Sequence, residues 1–95
     1  MAYPGAVFRL GTHQTAAYTS VAASITNAAG AGTNVVRVAV TTAAYVKIGN
    51  TPTAAATNSI YMAAGDPEYF VITPGQKVSA VRVTTSGTLS VTEVS

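Results

Sequence analysis

From Val35 to Val94, β-branched residues recur in short alternating runs, and each run is closed by Gly, Pro, Asn or Asp. That rhythm has period two, the signature of successive short strands, and it gives helix little support. Between Asn34 and Thr42, Val36, Val38 and Val40 fall on one face, with Val35, Arg37 and Ala39 on the other. Tyr45 to Ile48 repeats the pattern, Val46 and Ile48 opposing Lys47, and the two segments are expected to pair. Gly49-Asn50-Thr51-Pro52 stops the strand. The Ala/Thr stretch that follows, to Asn58, is too polar and irregular for a strand and is expected to project from the body.

Ile60 and Met62 restart the alternation, Gly65-Asp66-Pro67 turns the chain, and Glu68 to Thr73 reads as a largely buried strand carrying Tyr69, Phe70, Val71 and Ile72. Pro74-Gly75 predicts a type II turn, because Pro presets the first corner and Gly tolerates positive φ at the second. Lys77 to Thr84 offers Val81 and Val83 to one face and Arg82 to the other. Ser86-Gly87 then predicts a tight hairpin into Thr88 to Val94, with Leu89 and Val91 inward. Upstream, Ala16-Ala17 and Ala22-Ala23 admit helix, but Thr15, Thr19, Val21, Ile25 and Thr26, followed by Gly30 and Gly32, favour two further strands. About eight strands at intervals of roughly 8–12 residues predict an all-β domain, an antiparallel β-sandwich or jelly-roll. Residues 14–95 are read as that single domain. Residues 1–13, with Pro4, Gly5 and Gly11, are read as an N-terminal arm or edge segment.

A chain of 95 residues has room for one core, and a domain this small buries only about 60–70% of its unfolded surface, so self-association is expected to supplement its stability. The absence of cysteine removes disulfides, thiolate nucleophiles and sulfur-ligated metals together. Met1-Ala2-Tyr3-Pro4-Gly5 has no basic segment followed by an apolar run, so no secretory signal is expected and the mature chain is expected to start here. The long uncharged stretch between Arg9 and Arg37 is broken by Gln14, Ser24, Asn27, Asn34 and several threonines, which argues against a membrane span. Five cations (Arg9, Arg37, Lys47, Lys77, Arg82) and three anions (Asp66, Glu68, Glu93) are too few and too scattered for a basic patch, so nucleic acid is not an expected partner. With only 8% of residues charged, against the usual quarter or so, the surface reads as one that a partner covers.

The residues assemble no catalytic constellation. His13, Asp66 and several serines supply triad residue types, but no Gly-x-Ser-x-Gly elbow accompanies them, and His13 reads as a hydrogen-bonded turn residue. One His and three scattered acids lack the ligand spacing of a zinc or calcium site. Ala28-Ala29-Gly30-Ala31-Gly32-Thr33 has no following Gly-Lys-Ser/Thr, and Val35 replaces the third glycine of a dinucleotide fingerprint. It is read as a mobile inter-strand loop. No cofactor is expected. Tyr69 and Phe70 are read as core, and Tyr45 and Tyr61 as candidates for an exposed patch.

The segments Val35-Val36-Arg37-Val38-Ala39-Val40-Thr41-Thr42, Val46-Lys47-Ile48-Gly49, Ala63-Ala64-Gly65-Asp66-Pro67-Glu68-Tyr69-Phe70, Pro74-Gly75-Gln76-Lys77-Val78 and Gly87-Thr88-Leu89-Ser90-Val91-Thr92-Glu93 stand in an order that resembles a group of small tailed-bacteriophage virion proteins. The resemblance covers about two-thirds of the chain. Each motif is ordinary β-turn chemistry, so the order carries it. It implies a non-enzymatic capsid decoration or cement protein of the virion, made in the bacterial host cytoplasm and binding the major capsid protein. It also implies a homo-oligomer, and capsid symmetry favours a trimer. Members often carry Cys or His in the strand after the paired threonines; this chain has Ala44 and Tyr45 there, so no redox or metal role carries across. The expected capsid or subunit contacts are Tyr3, Phe8, Arg9 and His13 from the N-terminal segment, Thr51 and Thr53 from the loop over Asn50 to Asn58, and Tyr45 and Tyr61. Two alternatives are a neck, tail or head-fibre component, and a carbohydrate-binding module in which Tyr45 or Tyr61 stacks on sugar rings.

Overall fold

A computed structural model describes residues 10–55 and 57–94. Eight strands carry the described chain: β1 Leu10–Tyr18, β2 Ala23–Ser24, β3 Val35–Val40, β4 Ala44–Gly49, β5 Ile60–Met62, β6 Glu68–Val71, β7 Lys77–Arg82 and β8 Gly87–Val94. They form two four-stranded antiparallel sheets, ordered β1-β8-β3-β6 and β2-β7-β4-β5. The underlying rule is a folded ribbon. β1 pairs with β8, β2 with β7, β3 with β6 and β4 with β5, and successive ribbon segments fall alternately in the two sheets. Contacts of β3 with β8 and of β4 with β7 then knit each sheet together. This is the jelly-roll form of the β-sandwich.

Alternation sets the core. Val36, Val38 and Val40 of β3 and Leu89 and Val91 of β8 point inward from the first sheet. They meet Ala44, Val46, Met62, Val78 and Ala80 from the second, with Ile25 and Ile72 closing the ends. The inward faces of β3 and β8 agree with the sequence pattern. In β7 the core face belongs to Val78 and Ala80, so Val81 lies outside, opposite Tyr45.

Two expected pairings are corrected, for one reason. β3 and β4 lie in different sheets, as do β7 and β8, because the ribbon crosses between sheets at each of these junctions. Ser86-Gly87 is therefore a sheet-to-sheet crossing and makes no hairpin. Gly87 also lacks the positive φ that two-residue hairpins demand; among the described residues only Gly32, Gly65 and Gly75 have it. Gly75 sits in the expected turn, φ +96°, with the Gln76 amide donating to the Thr73 carbonyl at 3.0 Å.

The crossing is locked by a buried phenol. Tyr18, 1% exposed at the end of β1, donates from its hydroxyl to the Thr42 carbonyl at 2.6 Å and accepts from the Thr42 amide at 3.2 Å. Thr42 Oγ1 donates to the Thr85 carbonyl at 2.7 Å, and the Thr88 amide donates to Thr41 Oγ1 at 2.8 Å. Gly87 fits beneath because it has no side chain: a Cβ there would stand 2.5 Å from Thr42 Oγ1, 2.6 Å from Thr41 Oγ1 and 2.7 Å from the Tyr18 hydroxyl.

Three loop and strand expectations also change. The 50–58 segment does not project: Pro52 and Ala54 are buried on the outer side of the second sheet. Ser24 Oγ donates to the Pro52 carbonyl at 3.3 Å, and the Ala54 amide donates to the buried Ser79 hydroxyl at 3.1 Å. Small side chains allow that flat approach. The Gly30–Thr33 loop, expected to be mobile, is tied to the Glu93 carboxylate by the Gly30 amide at 3.2 Å and the Thr33 hydroxyl at 2.8 Å. Finally, β6 is an edge strand rather than a buried one, with Phe70 half-buried and Tyr69 and Val71 outside.

Candidate interaction surface

Each sheet ends in two edge strands, and the ribbon rule places β5 and β6 together at one side of the sandwich. Both are short, because turn residues bound them: Asn58 and Ser59 precede β5, and Gly65-Asp66-Pro67 precedes β6. Pro67 has no amide to donate to a neighbouring strand, which suits an edge. Of the five large apolar side chains exposed on the described surface, four belong to these two strands: Ile60 at 55%, Tyr61 at 54%, Tyr69 at 51% and Val71 at 83%. The fifth, Val21, lies in the link from β1 to β2.

Between the two edges runs a groove of about 320 Å³ lined by Val46, Ile48, Ile60, Phe70, Lys47, Asn58 and Ser59. Its lining is mainly apolar, with Asn58 and Ser59 at one end. Lys47, which pairs with Ser79 and alternates with inward Val46 and Ile48, faces the outer side of the second sheet, and Glu68 is exposed on Phe70's side of β6. On the outer face of the second sheet, register aligns Val81, Tyr45 and Tyr61 in one row. The Tyr45 and Tyr61 rings meet edge to face, centroids 6.1 Å apart and planes at 70°.

Of the residues expected to make contacts, the structure brings Tyr45 and Tyr61 together at this edge. His13 lies exposed on β1, the opposite edge of the first sheet, its Nδ1 sharing a 2.7 Å hydrogen bond with Thr92 Oγ1. Thr51 and Thr53 are exposed on the segment that crosses the second sheet. Tyr3, Phe8 and Arg9 lie outside the described residues. Sequence reasoning missed Ile60, Tyr69 and Val71 as surface residues. The one available signal was Pro67, which marks a strand that cannot be central.

His13 and Asp66 stand at opposite edges of the first sheet, with β8 and β3 between β1 and β6, a separation of about 14 Å at usual strand spacing. Among the described residues no group of three or more His, Cys, Asp or Glu is placed to hold a metal ion. A second depression of about 240 Å³, lined by Gly11, Ala31, Gly32, Thr33, Glu93 and Val94, has its one carboxylate engaged by the Gly30–Thr33 loop.

Comparisons with family models, with curated proteins and with solved structures give no match.

Proposed function

We propose that this chain is a non-enzymatic structural protein of a tailed-bacteriophage particle, binding the outer capsid surface as a decoration or cement protein that stabilises the head. The observation that carries the reading is the β5–β6 edge: its two short strands hold four of the five large apolar side chains exposed among the described residues, on a domain with few charges. The order of segments from Val35 to Glu93 supports the same reading. The jelly-roll adds less, since viral capsid, lectin and cupin domains share it and fold alone does not assign function.

On this reading the major capsid protein is the partner, the copies form a small symmetric homo-oligomer, and the site of action is the virion. Contacts that are individually weak act together once several copies are joined, so occupancy of the head rises steeply with oligomerisation. Thr51, Thr53 and His13, exposed on surfaces away from the β5–β6 edge, remain available to the capsid. Incubating the protein with undecorated heads and sedimenting them tests the proposal: binding should saturate at a copy number set by the capsid's symmetry axes. Absence of head binding would overturn it and favour a neck, tail or head-fibre position.

A carbohydrate-binding module is the second reading, favoured by exposed Tyr61 beside Tyr45. Sugar rings stack on aromatic faces, and the edge-to-face geometry offers one free ring rather than a flat platform of two. A glycan titration followed by tyrosine fluorescence discriminates it: saturable quenching that Tyr61→Ala abolishes would favour this reading.

A further inference from the structure

Strand β1 is the long edge of the sandwich. An edge strand holds a row of amides and carbonyls without a ladder partner, and proteins blunt such rows by shortness, charge or proline. Three of the edges are blunted in this way: β2 has two residues, β5 three, and β6 four, with Pro67 before it and Glu68 at its start. β1 has nine residues and no Asp, Glu, Lys, Arg or Pro.

Register fixes which of its backbone groups are free. The Thr41 amide donates to the Thr88 carbonyl at 3.1 Å, so Thr88 turns its backbone to the β3 side, and the alternate residues Leu89 and Val91 turn theirs to β1. Their partners Ala16 and Gln14 are thereby bonded to β8, while His13, Thr15 and Ala17 direct amide and carbonyl away from the sheet. All three residues are exposed. The inner side of the strand is closed within the chain: Gln14 Nε2 donates to the Asn27 carbonyl and the Asn27 amide to Gln14 Oε1, both at 2.9 Å.

We propose that a second copy of this chain pairs with the free edge of β1, antiparallel about a two-fold axis at Thr15, joining the first sheets of the two copies edge to edge. Thr15 then stands opposite Thr15, and His13 opposite Ala17. This register engages all three free residues, each pair exchanging two backbone hydrogen bonds. Side chains select the occupant. A foreign strand is chosen by pockets for its alternate side chains, and neither depression described above is lined by any of residues 13–17. A copy of β1 fits itself: Thr with Thr is a favourable cross-strand pair, and no like charges meet. The His13 ring, drawn back toward β8 by its 2.7 Å bond with Thr92 Oγ1, clears the edge and faces the small Ala17. β1 lies at the opposite side of the first sheet from β6, so the pair leaves both β5–β6 edges open to a capsid. This deepens the oligomer part of the function proposed above, replacing the trimer expected from capsid symmetry with a two-fold contact. It needs no capsid, so its failure and the failure of the capsid reading are separable.

The test is the mass of the full chain in solution, by sedimentation equilibrium across a wide concentration range, with circular dichroism to confirm folding. The wild type should shift from one chain to two as concentration rises, and amide exchange at His13, Thr15 and Ala17 should slow with it. Thr15→Pro removes an outward amide and sets a ring in the partner's path, yet leaves the bonds to β8 in place. It should weaken the dimer at least about tenfold and keep the wild-type spectrum. Thr15→Lys puts like charges on the axis and should weaken it about two- to fivefold; mixing that variant with Thr15→Glu should restore pairing as heterodimers. Val71→Glu, 83% exposed on the far edge, should dimerise as the wild type does. A wild-type monomer at every concentration, a trimer, or a dimer indifferent to both Thr15→Pro and Thr15→Lys overturns the proposal. Failure of the Lys and Glu variants to pair overturns the axis at Thr15.

Discussion

Replacing Gly87 by alanine adds one methyl group to the tightest point in the fold. The new Cβ would stand 2.5–2.7 Å from three oxygens, those of Thr42, Thr41 and Tyr18, against about 3.4 Å for ordinary contact. None of the three is free to retreat, because each already bonds to backbone across the crossing. Overpacking of this kind costs about 1–3 kcal/mol, and displacing two of the tethers adds about 1 kcal/mol each. The expected loss is about 3–5 kcal/mol, out of roughly 5–14 kcal/mol for a domain of this length. That corresponds to a fall in Tm of about 15–25 °C. The assay is urea and thermal unfolding by circular dichroism at one fixed protein concentration, since self-association shifts the midpoint. Gly49→Ala is the control: its Cβ would meet only Pro52 Cβ, at 3.9 Å, and stability should change by less than about 0.5 kcal/mol. A Gly87→Ala protein within about 0.5 kcal/mol of wild type would refute the steric argument.

Other perturbations probe the same framework. Tyr18→Phe leaves the Thr42 amide and carbonyl without their buried partner and should cost about 1–3 kcal/mol in urea unfolding. Glu93→Ala removes the acceptor for both the Gly30 amide and the Thr33 hydroxyl. It should cost about 1–2 kcal/mol and raise hydrogen exchange at Gly30 while leaving β4 and β7 unchanged. Gly75→Ala forces a side chain to φ +96° and should destabilise by about 1 kcal/mol, read as a lower urea midpoint at constant m.

The sequence exposed what depends on local alternation and concealed what depends on the path between sheets. Val36, Val38 and Val40 are legible as a core face because each intervening residue differs in character, and Pro74-Gly75 is legible because only that pair suits the turn. Sheet membership is not local. In a folded ribbon nearly every consecutive pair of strands is divided between sheets, so the usual assumption that neighbours in sequence are neighbours in space failed for β3 with β4 and for β7 with β8. It held only for β4 with β5.

The contact surface was half legible for a related reason. Tyr45 and Tyr61 stood out as aromatics among polar or small neighbours. Tyr69 and Val71 were hidden within an unbroken apolar run, Tyr69-Phe70-Val71-Ile72, which reads as a strand buried on both faces. In the structure Phe70 and Ile72 face inward while Tyr69 and Val71 face out. An apolar run at an edge strand is costly to expose, and that cost is the physical basis for placing a partner there. The lock of Tyr18, Thr41, Thr42 and Gly87 joins four residues from three distant segments, and no spacing in the chain announces it.

Decoration of the head through repeated contacts is tested by titrating undecorated heads with the protein. Wild-type protein should saturate the heads at a fixed copy number set by the capsid's symmetry axes. Heads that leave the wild-type protein unbound at every concentration would contradict the claim.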